Sequence, residues 1–293
     1  MTQLVQAVVL GLLIGGVYAL MASGLTLIFG VMNIINVAHG ALLILVAFVT
    51  WKIWSVTGAD PILLSVVMTP VMFGVGWLLY KGVVSRISGG SPGMSVLLTF
   101  GIAITIEGVL NVTAGNKFRS ATPSYFSQSF RVLGISLPKA QVYGCIAAVL
   151  VLGLLYLVLA KTWTGRAIRA TAQNPSGASL VGIQATGVAA LAFAIGTATT
   201  GVGGSVLSVL YPFFPASHYD WISKLLGIIV LGGMGSLAGA LVGALILSLA
   251  ETLTATYISL QWSTLIFYAV IMAVLLFRPQ GLFGSRLRQD VMA

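Results

Sequence analysis

Residues 224–247 read KLLGIIVLGGMGSLAGALVGALIL, and the topology of the chain turns on whether this is one membrane pass or two. A hydrocarbon core of about 30 Å takes about 20 helical residues to cross, so length alone permits one pass. Loop charges argue for two. Basic residues gather at Lys81 and Arg86, at Lys161, Arg166 and Arg169, and at Arg278, Arg286 and Arg288. Basic loops face the cytoplasm. If all three groups do so, the N-terminus lies outside and an even number of crossings separates 185 from 278. That parity splits the stretch at its Gly-Met-Gly, into a short pass at 222–234 and a second at 237–254.

The rest of the chain agrees with a membrane setting. Of its 293 residues 58% are hydrophobic and only 6% charged, with a mean hydropathy of +1.07. Soluble domains carry roughly a quarter charged residues, so this chain cannot cover itself for water. Residues 1–51, 170–219, 225–250 and 252–277 contain no Lys, Arg, Asp or Glu. Further apolar segments fall at about 3–30, 37–56, 61–80, 94–114, 140–160, 186–211 and 258–277. The sequence therefore predicts an all-α, polytopic transmembrane bundle of about 8–9 crossings, some broken by glycine, in a single domain over 1–293. The segment 115–139 fits orientation least well, since it places Lys117, Arg119, Arg131 and Lys139 outside. The N-terminus lacks the basic region of a cleavable signal peptide and reads as a retained first span.

The net charge of +9 is spread between apolar runs rather than along one stripe, which points to loops and membrane lipid rather than nucleic acid. The lone Cys145 sits in an apolar run and reads as a packing residue. No G-x-x-x-x-G-K-[ST] or H-E-x-x-H occurs. GGSPG at 89–93 matches the nucleophile-elbow pattern, but that motif needs a strand-to-helix turn, and here it lies between helices. No catalytic residue, metal centre or cofactor is read, and the chain reads as a non-enzyme. His218, in PFFPASHYDW with Tyr211, Tyr219 and Trp221, reads as part of an exterior aromatic belt.

Two apolar segments are interrupted: FGVMNIINVAHGALL at 29–43 and LGGMGSLAGALVGAL at 231–245. Paired interruptions of this kind point to a solute pathway, because unwound backbone survives at membrane depth only where it is buried or lines a cavity. Asn33, Asn36 and His39 recur at three-residue spacing and would share one side of a helix. With Gly232, Gly233 and Gly235 they are the candidate pathway residues. A wet cytoplasmic turn at 31–38 is the alternative. Glu107 and Glu251 fall toward span ends and read as structural.

The stretch GRAIRATAQNPSGASLVGI at 165–183 is a polar excursion between greasy flanks. Read as a short helix capped by Thr164, it places Arg166, Arg169 and Gln173 on one side and Ile168 and Ala172 on the other. Asn174-Pro175 ends that helix and starts another. A compact pair with a cationic face and small side chains suits a knuckle that fits a partner protein; an interfacial helix held by anionic lipid is the alternative.

Four blocks, GLTLIFGVMNIINVAHGALL (24–43), GRAIRATAQNPSGASLVGI (165–183), LGGMGSLAGALVGALIL (231–247) and FRPQGLFG (277–284), resemble the branched-chain amino acid ABC-transporter permeases of the LivH subfamily. The resemblance covers essentially the whole chain. It implies half of the pore of an importer in the bacterial inner membrane. The implied partners are a second, LivM-like permease, two cytoplasmic ABC ATPases and a periplasmic solute-binding protein; the implied substrate is a branched-chain or other hydrophobic amino acid. It also implies that about 161–185 is a cytoplasmic coupling loop, with Gly165, Arg166, Arg169, Asn174 and Gly182 in contact with the ATPases. Similar permeases serve urea, amides or aromatic acids, and an ion-coupled secondary transporter is the rival from another class.

Overall fold

The computed structural model describes residues 2–86, 92–132 and 134–284. Eight helices are long and apolar enough to cross a membrane. They are α1 (Thr2–Met32), α2 (Ala38–Thr57), α3 (Pro61–Gly82), α4 (Pro92–Ala114), α5 (Lys139–Lys161), α8 (Ala185–Leu210), α10 (Leu237–Tyr257) and α11 (Leu260–Phe277). Between α5 and α8 lie two short helices, α6 (Trp163–Gln173) and α7 (Pro175–Leu180). Between α4 and α5, β1 (Ser129–Val132) pairs antiparallel with β2 (Ile135–Pro138), Val132 opposite Ile135. Gly134 closes that turn at φ 80°, a conformation that costs glycine least. Gln6 of α1 reaches the Ser136 carbonyl, so hairpin and N-terminus share one end of the bundle. The GGSPG segment lies for the most part outside the described residues.

The ninth element, α9 (His218–Gly232), has 15 residues and rises about 22 Å, too little to cross alone. It does not need to. The end of α8 is tied to the hairpin end by reciprocal backbone bonds between Arg119 and Phe213 of 2.8 and 2.9 Å. Residues 211–217 then descend into the bundle, and α9 starts beside α2, where a Cβ on Gly40 would stand 2.7 Å from the His218 carbonyl oxygen. From there it runs to the opposite end. The break at 233–236 follows, and α10 returns along α1: Gly30 faces Gly235, and Gly11 faces Leu249. The split of the opening stretch into α9 and α10 is as its glycines predict, and α9 adds a shorter helix to the eight that are long enough to cross.

The first interruption is deeper than a surface turn. Asn33 ends α1 at φ 52°, its N–H bonded to the Phe29 carbonyl at 2.8 Å; asparagine is one of the few residues that tolerate this left-handed position. After the non-helical 33–36, His39 in the first turn of α2 donates from Nε2 to the Met21 carbonyl at 3.0 Å. Met21 lies eleven residues back along α1, about 16 Å at 1.5 Å per residue. The chain therefore turns back alongside α1 before α2 begins.

Helices α1 and α8 form the centre. Small residues let them approach: a Cβ on Gly196 would stand 2.6 Å from the Gly24 carbonyl oxygen. In lipid such contacts, rather than the hydrophobic effect, hold helices together. Thr197, Thr199, Thr200, Ser205 and Ser208 of α8 are buried and mostly bond back to their own helix, as Thr200 does to Thr197. One crosses to a neighbour, with the Thr50 and Ser205 hydroxyls 3.0 Å apart.

Candidate functional site

At the end away from the hairpin, α6 and α7 form an elbow. Thr162, not Thr164, caps α6: its hydroxyl accepts the Gly165 N–H at 3.1 Å and donates to the Val158 carbonyl. The extended Thr162 sets the cap two residues earlier than the sequence reading has it. Gly165 sits against the carbonyls of Val158 and Leu159, where a Cβ has no room. Asn174 caps α7 as expected, its Oδ1 accepting the Gly177 N–H at 2.9 Å. Gly182, at φ 83°, closes α7 with Ile183 N–H bonded to Ala178 O and Gly182 N–H to Ser179 O, the paired bonds of a Schellman end.

The faces of α6 follow the predicted ones except at Ala172, with Arg166, Arg169 and Gln173 exposed. Ile168 and Ala167 are buried among Leu27, Val31, Leu155, Leu159, Val188 and Ala192 of α1, α5 and α8, while Ala172 is exposed. Arg166 is exposed and stacks over Trp163, 5.6 Å from the ring centroid. Arg169 donates to the Leu159 carbonyl, which ties α6 to the end of α5. The outermost groups are apolar: Leu180 is 88% and Val181 76% exposed. Sequence reading missed both, because a Leu-Val pair looks like any other core pair. This end carries Lys81, Arg86, Lys161, Arg166, Arg169 and Arg278, with no acidic side chain among its described residues.

A cavity of about 510 Å³ opens beside the elbow between α1, α5, α6 and α10, lined by Ser23, Leu27, Gly30, Leu155, Arg169 and Gly235 among others. Gly30 and Gly235 thus bring the two interrupted segments together. The other pathway candidates are not on one surface. Asn33, Asn36 and His39 do not share a helix face, since the helix is broken between them. Asn33 is exposed, while Asn36 and His39 are fully buried. Both amide atoms of Asn36 and Nδ1 of His39 have no hydrogen-bond partner among the described residues. The break is held instead by Thr99 of α4, whose hydroxyl accepts the Val37 N–H at 3.1 Å and lies 3.3 Å from the Ile35 carbonyl. Around Gly232, Gly233 and Gly235 the chain covers its own backbone. Leu282 N–H bonds Leu231 O at 2.8 Å and Phe283 N–H bonds Gly232 O at 2.9 Å.

Ionisable groups pair across the bundle. His218 is not in an exterior belt: it is buried at the start of α9, with Nε2 3.0 Å from a Glu107 carboxylate oxygen. Six residues on, Lys224 pairs with Glu251 at 2.6 Å, and Glu251 also accepts the Tyr18 hydroxyl at 3.0 Å. Both glutamates are thus paired, in line with their structural reading. Lys224, a basic residue inside an apolar run, was the available signal for this cluster. No group of three or more His, Cys, Asp or Glu side chains placed to hold a metal occurs among the described residues.

Residues 7–275 match the family model described as branched-chain amino acid transport system / permease component. The high-affinity branched-chain amino acid transport system permease protein LivH of Salmonella typhimurium is 29% identical over 288 residues, covering 94% of this chain and 93% of that protein. BraD of Pseudomonas aeruginosa, a permease protein of the same description, is 28% identical over 296 residues, with 95% of each chain covered. The autoinducer 2 import system permease protein LsrC of Escherichia coli is 26% identical over 193 residues, covering 62% of this chain and 55% of that protein. No solved structure matches the chain.

Proposed function

The chain belongs to the family of branched-chain amino acid transport permease components, and from that premise we propose that it imports a branched-chain or similarly apolar amino acid across a bacterial inner membrane. It is a multi-pass permease, half of a pore completed by a second, similar subunit. Two cytoplasmic ATPases drive it, and a periplasmic solute-binding protein delivers the solute. The observation that carries the coupling is the elbow: two capped helices at the basic end of the bundle, tipped by exposed Leu180 and Val181, in a chain without a phosphate loop of its own. The positive-inside rule supports a cytoplasmic setting for that end.

The contacts suggest how a push travels. The apolar face of α6 packs on the ends of α1, α5 and α8, and Arg169 binds the end of α5. Closure of the ATPases against α7 would therefore move α1, which leads directly into the 33–36 break, and rock the bundle between two open states. Arg166 offers a forked donor to a partner carboxylate. Asn36, buried with an unpaired amide beside unwound backbone, supports a pathway near this break, where dipoles rather than net charge would meet the solute.

The test is uptake of labelled leucine, isoleucine and valine by proteoliposomes holding the complex purified on this chain. The reading predicts co-purified ATPase subunits and ATP-dependent uptake of at least one of the three. ATP hydrolysis with import only of another solute would refute the substrate class, and absence of any ATPase would refute the coupling.

A further inference from the structure

Helix α9 carries charge inside an otherwise apolar run of the bundle. Lys224 lies eight residues before the helix end, and its ammonium meets Glu251 of α10 at 2.6 Å. Three rings surround it: its Nζ stands 5.5 Å from the Tyr18 ring centroid, 5.6 Å from Phe267 and 5.9 Å from Trp221. Aromatic faces at this range attract an ammonium. The Tyr18 hydroxyl donates to the second Glu251 oxygen at 3.0 Å. Fourteen residues separate Glu251 from the start of α10, about 21 Å along the axis, so the pair lies within membrane depth.

The pair is not sealed. Each side chain keeps 18% of its surface accessible, and the neighbouring Asp220 and Ser223 of α9 are exposed. An ionisable group facing hydrocarbon is costly. This flank therefore faces water or another polypeptide rather than lipid tails.

We propose that Lys224 and Glu251, within the ring cage of Tyr18, Phe267 and Trp221, form the station at which the two charges of a zwitterionic amino acid are read during passage. The inference rests on the amino-acid reading given above. A solute with one carboxylate and one ammonium can enter between the pair: its carboxylate takes the Lys224 ammonium, and its own ammonium takes Glu251 and the vacated aromatic faces. One ion pair becomes two, and the site stays neutral throughout. The apolar side chain of the solute then lies against rings. After the solute leaves, Lys224 and Glu251 rejoin, which returns the passage to its resting contact without leaving a buried charge unpaired.

The experiment uses the assembled complex in proteoliposomes, with labelled L-leucine and three variants: Lys224→Met, Glu251→Gln and the double substitution. A purely structural tie predicts that the double variant recovers, because replacing both members of a buried pair is often neutral. The station predicts that it does not: leucine uptake per complex falls at least about tenfold, the loss of a charge-assisted bond, while ATP hydrolysis stays within about twofold. A second measurement leaves the pair intact. Ser223→Cys is labelled with a membrane-impermeant maleimide, and saturating L-leucine slows that labelling whereas its 2-keto acid does not. Uptake by the double variant in proportion to its ATP hydrolysis, or labelling indifferent to leucine, overturns the proposal. Absence of any amino-acid uptake by the wild-type complex overturns the underlying reading as well, so the two failures are told apart.

Discussion

Asn33 and Asn174 both sit at helix ends and act in opposite ways. Asn33 uses its tolerance of a left-handed backbone to stop α1, whereas Asn174 uses its side-chain oxygen to start α7. The second was legible in the sequence, because Asn-Pro before a small-residue run is a local signal. The first was not. Three-residue spacing suggested that Asn33, Asn36 and His39 shared a face, and nothing local announced that the helix would break between them. Replacing Asn174 with Ala removes one N-cap bond, a cost of about 1 kcal/mol. In an elbow of two short helices this should speed limited proteolysis within 174–184, and Asn174→Ser should restore the wild-type rate. Equal rates for all three proteins would remove the cap from the account.

At the scale of elements, the boundaries of the long helices fall close to those read from hydropathy. The reason is that charged, Pro and Gly residues end the apolar runs: Asp60-Pro61 caps α3 through two N–H bonds to Asp60, and Lys139 and Lys161 bracket α5. The depth at which α2 begins could not be read this way. It depends on a bond from His39 to Met21 and on a hydroxyl of α4, sixty-two residues from Val37. Thr99→Val keeps the shape of the side chain and leaves the Val37 N–H without its acceptor, at a cost of about 1–3 kcal/mol. The expected result is a lower unfolding temperature in detergent and slower uptake, with Thr99→Ser close to wild type. Unchanged uptake in Thr99→Val would mean that the break does not need this tie to work.

The whole molecule is a bundle whose ends differ in character. One end carries the hairpin and the N-terminus; the other carries the elbow, the tail bonds at 282–283 and basic residues that have no acidic partner among the described residues. Composition and loop charge made this division legible, along with the split of residues 224–247 into two helices and the elbow itself. The pairs that cross the bundle were not: Glu107 meets His218 from 111 positions away, and Lys224 meets Glu251 from 27. Periodicity reports one helix at a time, and such pairings arise only when helices assemble. The central claim, that a chain without a nucleotide site is driven through α6 and α7, is tested most directly at Leu180. With Leu180→Cys in membranes that are importing amino acid, a short bifunctional maleimide should join this position to an ATP-hydrolysing subunit, and an impermeant thiol reagent should reach it only from the cytoplasmic side. Labelling from the outer side, or import proceeding with no ATPase subunit within cross-linking reach of residue 180, would contradict the account.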